Sequence, residues 1–280
     1  MTKNQTAKML TLSVVLAGVA GTASAQRFSD NFNSGSLDAW GAPNLFGEIT
    51  SHLVSAATGE LRMEGVGIST VRPDFIYLPL AASVADIHLY QNGSASVDLD
   101  LDGGSQGGIV ARGDYPRAAV EFGVLNRANP LSNDRLFINI GINGVLVAGN
   151  IIDLNFEASS VRLDASWNGA EYKLTATDRL TLESMSVGLT GPSFTGGGEV
   201  GLAVARSVIN VFDFGATFDN FEISPACPPD LNNDGVVDAD DFFLFLNLFS
   251  QGDPRADFNG DGVIDADDFF AFLSDFAAGC

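Results

Sequence analysis

Residues 230–241 read DLNNDGVVDADD, and residues 257–268 read DFNGDGVIDADD. Aligned from the first aspartate of each, residues 230–249 and 257–276 are identical at 14 of 20 positions. From Cys227 to Cys280 the chain has twelve Asp, no Glu, no Lys and one Arg, a formal charge of −11 out of −21 for all 280 residues. Carboxylates at that density repel one another in a compact unit, and bound cations relieve the repulsion. The spacing points to which cation. Twelve-residue calcium loops draw oxygens from positions 1, 3, 5, 7 (a main-chain carbonyl), 9 and 12, with glycine at position 6 for the sharp turn. The first copy offers Asp230, Asn232, Asp234, the Val236 carbonyl, Asp238 and Asp241 around Gly235. The second offers Asp257, Asn259, Asp261, the Val263 carbonyl, Asp265 and Asp268 around Gly262. Hard oxygen donors on a flexible loop favour Ca²⁺, whereas Mg²⁺ wants a tighter octahedron. Two Ca²⁺ ions are therefore expected. Position 12 is Asp in both copies, where Glu is usual.

Each loop runs into a phenylalanine-rich stretch, FFLFLNLFS (242–250) and FFAFLSDFA (269–277). Helical spacing puts Phe242, Phe245, Leu246 and Phe249 on one face of the first, and Phe269, Phe272, Leu273 and Phe276 on one face of the second. Pro228-Pro229 and Gly252-Asp253-Pro254 precede the loops and disfavour an incoming helix. Each repeat is thus a loop plus its outgoing helix. Two near-copies are expected to pack face to face about an approximate twofold axis.

These residues resemble a type I dockerin. The shared features are duplicated D-x-N-x-D-G-x-[VI]-x-x-x-D loops, Asp at position 12, a missing first helix and a proline-containing linker, over residues 228–276. The resemblance implies a small α-helical tandem calcium-loop (F-hand) module that docks onto a cohesin-like scaffold or surface protein. It places partner contacts at loop positions 10 and 11, here Ala239 and Asp240, and Ala266 and Asp267, and on the helix that follows. Ala-Asp departs from the small or hydroxylated pairs familiar at those positions. The ending Ala278-Gly279-Cys280, with Cys227 ahead of the first loop, is similar to the Gly-Cys-terminated dockerins of planctomycete-like secreted proteins.

The other end of the chain fixes the expected compartment. Lys3 and Lys8 precede the apolar run MLTLSVVLAGVAG (9–21) and then Ala23-Ser24-Ala25. That is the order of a cleaved secretory signal, with cleavage expected after Ala25. The run is too short to span a bilayer, and no other stretch is long and apolar enough. A secreted protein, extracellular or held at the cell surface, follows. Its two cysteines bracket the acidic module. In an exported chain that arithmetic points to one disulfide, Cys227 to Cys280. The competing reading leaves Cys280 as a free or modified terminal thiol.

Residues 26–224 are rich in glycine, and strand-like runs bounded by turn residues recur through them. They include GELRMEG (59–65), GGIVARGD (107–114), RAAVEFGVL (117–125), RLFINIGING (135–144), SVRLDASWNG (160–169), AEYKLTATD (170–178), EVGLAVARS (199–207) and ATFDNFEIS (216–224). Asn168-Gly169 is the favoured centre of a type I′ hairpin turn. Many short strands without alternating helices make a β-sandwich. FSDNFNSGSLDAW (28–40), ATFDNFEIS and the hairpin ASWNGAEYKLTATD (165–178) resemble the concanavalin A-like, laminin-G-like jelly roll. That resemblance implies pairing of the first and last strands, and a fold shared by lectins, carbohydrate-binding modules and glucanases. The expected whole is mostly β: a signal (1–25), a jelly-roll β-sandwich (26–224), a linker (225–229) and the calcium-loop module (230–280).

Fold does not assign activity, so candidate residues must. Laminarinase-type jelly rolls carry E-x-D-x-x-E, whose carboxylates stand about 5–5.5 Å apart in a retaining enzyme. No such run occurs among the nine glutamates, and Glu60 and Glu64 read as solvated residues on one face of a strand. His52 and His88 are far apart in sequence. Sugar sites use aromatic platforms, for which Trp40, Trp167, Tyr77, Tyr90, Tyr115 and Tyr172 are available, with core packing the first reading for the two tryptophans. Asp30 and Asp219 flank the presumed terminal-strand pair. There they are either strand-end caps or, by the same resemblance, holders of a further structural Ca²⁺. Nucleic acid is disfavoured by the acidic balance and by a single lysine, Lys173, after the signal. The expected function is a non-catalytic, calcium-binding secreted protein whose jelly roll takes polysaccharide and is displayed through the docking module. The alternative is a glycoside hydrolase delivered to a complex by the same module.

Overall fold

The computed structural model describes residues 28–56, 59–68, 74–81, 92–114, 118–127, 132–143, 145–192, 199–206, 213–225, 227–232, 236–258 and 263–279. The expected signal segment lies outside the described residues. In chain order the strands are β1 (Phe28–Asp30), β2 (Asn44–Phe46), β3 (Ile49–Ser55), β4 (Leu61–Gly67), β5 (Phe75–Pro79), β6 (Gly93–Leu101), β7 (Ser105–Asp114), β8 (Ala118–Leu125), β9 (Arg135–Ile142), β10 (Val145–Asp153), β11 (Ser160–Asn168), β12 (Glu171–Asp178), β13 (Ser184–Thr190), β14 (Glu199–Arg206) and β15 (Asp213–Pro225). One sheet runs β13-β12-β11-β6-β15-β4-β3, with β1 also on β15, and the other runs β10-β9-β8-β7-β14-β5-β2. The chain is thus a mostly-β jelly-roll sandwich of two sheets, followed by two short helices, α1 (Ala239–Gln251) and α2 (Ala266–Ala278). All eight strand-like runs form strands, and the first and last strands pair, with Phe28 opposite Ile223 and Asp30 opposite Phe221.

Period-2 alternation sets which side chains enter the core. In β11, Val161, Leu163, Ala165 and Trp167 point inward while Asp164, Ser166 and Asn168 face water. β12 follows the same parity, with Tyr172, Leu174 and Ala176 inside. The turn between them corrects the expected type. Asn168 pairs with Glu171 as the last rung, so the two loop residues are Gly169 and Ala170. Gly169 has φ 55 and Ala170 no positive φ, which is the pattern of a type II′ turn; type I′ needs positive φ at both.

The same parity bears out core packing for Trp167 and removes Tyr172 as a platform. Trp167 and Tyr172 are neighbours, as their register requires, but they are 1% and 2% exposed. Phe122 of the facing sheet packs against both, with ring centroids 5.9 and 6.4 Å away. Trp40 and Tyr77 are buried as well. Tyr90, Tyr115 and His88 lie outside the described residues. Trp40 packs edge-on against Phe221 at 5.2 Å and donates its indole N–H to Asp30 Oδ2 at 2.9 Å. Asp30 Oδ1 accepts from the Phe32 N–H, so this carboxylate caps the end of β1. Asp219 instead accepts from Asn220, at a bulge where Asn220 has φ 48.

One buried ion pair ties the sandwich together at its β4–β5–β14 end. Arg206 Nη2 lies 2.9 Å from Asp74 Oδ2, with the two side chains 3% and 0% exposed. Asp74 Oδ1 also accepts from the Glu48 N–H at 2.6 Å, and Arg206 Nη1 reaches the Gly67 carbonyl at 3.4 Å. A Cβ at Gly47 or Gly67 would collide with the Asp74 carboxylate, so glycine at both positions is what admits the pair.

Candidate metal centre

Each helix begins inside its acidic loop. Asp238 and Asp265, at loop position 9, are the N-caps of α1 and α2, and each accepts from the N–H two residues on at 2.9 Å. An aspartate there suits the orphan N–H groups and the positive end of the helix dipole. The position-12 aspartates complete a capping box in both copies. Asp241 Oδ2 takes the Asp238 N–H at 3.0 Å, and Asp268 Oδ2 takes the Asp265 N–H at 2.9 Å. The other oxygen of each reaches back to the start of its loop, to the Asn232 N–H at 3.0 Å and the Phe258 N–H at 2.7 Å. Both carboxylates are fully buried. Each therefore bridges the first and last thirds of its loop, and Asp at position 12 is short enough to do this from the first helical turn.

The helices then close on each other as expected. Phe245 and Phe272, which are equivalent positions in the two repeats, stack with centroids 4.0 Å apart and planes 3° from parallel. The surrounding contacts come in matched pairs. Phe242–Phe272 is 6.2 Å and Phe245–Phe269 is 6.1 Å. Phe245–Phe249 is 5.6 Å and Phe272–Phe276 is 5.5 Å. Phe242–Phe276 is 6.0 Å and Phe249–Phe269 is 6.5 Å. These pairs define a pseudo-twofold axis through the central stack. Phe258 stands edge-on to both central rings, while its counterpart is Leu231. Ahead of the second loop there is only a three-residue 3-10 turn, Pro254–Ala256, after the left-handed cap at Gly252. Neither repeat has an incoming helix among the described residues.

The donor set is suited to a hard divalent cation. Asp230 is 9% exposed, Asp257 is half-buried, and Val236 and Val263 turn their side chains to solvent, leaving only backbone to contribute. Every carboxylate oxygen has two acceptor sites, so the N–H bonds to Asp241 leave lone pairs available. The segment's single basic side chain, Arg255, is committed to Asp253 at 3.0 and 2.9 Å. Among the described residues no three acidic, His or Cys side chains converge. The loop centres, which carry Asp234, Asn259 and Asp261 with Gly235 and Gly262, lie outside the described residues, as does Cys280. Cys227, just ahead of the first loop, is half-buried.

Ala239, Asp240, Ala266 and Asp267, the expected partner contacts, are all exposed. So are Phe243 and Phe270, each 64% exposed, one turn along each helix from Ala239 and Ala266. Sequence reasoning passed over this second phenylalanine of each Phe-Phe pair. Its signal was present: both copies keep Phe at a position that the apolar helical face does not include.

No family model matches the chain, and no curated protein matches it. Solved structures with similar strand arrangement include Bacteroides ovatus xyloglucan PUL GH43B (16% identity, TM-score 0.46), of which the match covers 71% of this chain and 39% of that one. Lectin II from Ulex europaeus is matched at 11% identity and TM-score 0.47, over 72% of this chain and 99% of that one. Bacillus licheniformis beta-glucanase is matched at 13% identity and TM-score 0.47, over 74% of this chain and all of that one.

Proposed function

We propose that this protein is a secreted, non-catalytic glycan-binding jelly roll carried on a calcium-dependent, dockerin-like docking module. The observation that carries the reading is the duplicated loop–helix unit closing on itself about Phe245 and Phe272. A repeat with buried position-12 carboxylates, a shared aromatic core and exposed position-10 and position-11 residues is built to hold two ions and present one face. When bound, Ca²⁺ supplies the positive charge that the loops' own side chains lack. Asp241 and Asp268 link that charge to the helix starts, so the ion and the docking face order together. The Ala239-Asp240 and Ala266-Asp267 pairs, with Phe243 and Phe270, form the surface offered to a cohesin-like partner. A Cys227–Cys280 disulfide would hold the ends of the module together, and none of the described cysteines is free. The sandwich is assigned binding rather than hydrolysis because the sequence encodes no E-x-D-x-x-E carboxylate run.

Calorimetry with Ca²⁺ tests the reading. Two ions should bind per chain, and chelation should unfold α1 and α2 by circular dichroism. One ion, or helices unchanged in chelator, refutes it. A pull-down from the source's own secretome should then recover a partner in Ca²⁺ and lose it in chelator.

A further inference from the structure

The jelly roll has a cavity of about 310 Å³ on the outward face of β3, β4 and β15, remote in sequence from the calcium loops. Position 215, next to the lining residue Phe214, has no side chain. A Cβ on Gly215 would stand 2.5 Å from both Arg62 Nη2 and Asp102 Oδ2, so only glycine lets that pair fold across the sheet. Arg62 is among the lining residues. Its Nη1 is 3.1 Å from Asp102 Oδ1, its Nη2 pairs with Asp102 Oδ2, and its Nε is 3.1 Å from Glu64 Oε2. The hydrogen bonds to Asp102, then to Glu64, hold the guanidinium above its ordinary pKa. Glu64 Oε1, the Asp213 carboxylate and the Ser51 hydroxyl also border the cavity and have no partner among the described residues. Leu53, 45% exposed, and Val66 supply an apolar wall.

We infer that this cavity is a binding site for a neutral sugar residue. It rests on the reading of the sandwich as a glycan binder and says where on it the glycan sits. Three carboxylates against one guanidinium leave the lining net negative, which repels an anion, and no three acidic, His or Cys side chains among the described residues converge as a metal ion needs. What fits is a neutral ligand with many hydroxyls. Glu64 and Asp213 accept from hydroxyls, the one Arg62 N–H not already given to Asp102, Glu64 or Thr217 donates to an oxygen, Ser51 does either, and a sugar's C–H face lies on Leu53 and Val66. The volume lies at the low end of ligand pockets, which run about 300–1,000 Å³.

The test uses the full secreted chain and ligand-observed NMR with glucose, galactose, mannose, xylose and short β-gluco- and xylo-oligosaccharides. At least one should bind. Glu64→Gln and Asp213→Asn should each weaken it about tenfold or more, the loss expected for one hydrogen bond to a charged group. Gly215→Ala should abolish binding by displacing Arg62 and Asp102. Asp164→Asn, which touches Arg162 elsewhere on the same sheet, should change nothing. Asp213 is exposed, so its variant keeps the test decisive if Gly215→Ala fails to fold. Binding retained in Asp213→Asn and Glu64→Gln overturns this site but not the glycan reading. No binding by the unmodified chain to any of these sugars overturns both.

Discussion

Phe245→Ala and Phe272→Ala should destabilise the C-terminal module by nearly the same amount, although they lie 27 residues apart in different repeats. Both rings are fully buried, they face each other at 4.0 Å, and each touches a matched set of neighbours. Truncating a buried phenylalanine costs about 3–5 kcal/mol. A core of this size rarely supplies more than roughly 3–5 kcal/mol, so either change should remove most of the module's stability. The double variant should cost less than the sum of the singles, by about 0.5–1.5 kcal/mol, because the second truncation removes a stack already broken. Hydrogen–deuterium exchange of the α1 and α2 amides in the intact chain measures all three. Protection should fall together in both helices whichever ring is removed. Single effects differing by more than about 2 kcal/mol would break the symmetry argument, given the magnitudes expected for one buried ring. Strict additivity would show that the stack couples nothing.

Asp241→Asn and Asp268→Asn keep the shape but set an amide NH₂ against backbone N–H, so each should weaken its own helix start by about 1–3 kcal/mol in thermal melts and remove one calcium in calorimetry. Loss of both ions from either variant would contradict separate sites. Arg206→Ala leaves Asp74 buried without its guanidinium and should cost about 3–5 kcal/mol in urea unfolding followed by the fluorescence of buried Trp40 and Trp167; a loss under about 1 kcal/mol would show the pair to be idle. Mass spectrometry of the unreduced protein should find Cys227 and Cys280 peptides linked, and a free or adducted Cys280 excludes the clasp. Arg255 beside Asp253 lowers that carboxyl from 3.8 to about 2. Its folded value lies below its unfolded one, so the pair's contribution is present above pH 3.8 and fades as pH falls toward 2. An NMR titration of Asp253 with a midpoint near 3.8 would refute the clamp.

The helix starts were legible because their information is local: each follows its acidic loop, and a second copy repeats the first. The twofold stack followed from the same repetition. Strand positions were legible by alternation, but the direction of each side chain was less so. Trp167 reads first as core while Tyr172 stays open as a platform, and one rung of register decides whether both face water or Phe122. The hairpin turn was misread for the same reason, since Asn168 belongs to the strand. Least legible were contacts between distant segments. Nothing local in Arg62 announces Asp102, forty residues on, or in Asp74 its guanidinium on β14. The useful signals were the glycines at 47, 67 and 215, whose meaning appears only when another strand's side chain arrives over them.

β15 is the strand through which the sandwich continues toward the module, and it is not at a sheet edge. It is hydrogen-bonded to β6 over residues 216–225, to β4 over 213–218 and to β1 over 221–223. Tension applied at Pro225 along this strand would therefore slide it lengthwise between its neighbours, loading many hydrogen bonds at once rather than opening them one rung at a time. Resistance to such a pull is set by the unfolding barrier, not by equilibrium stability.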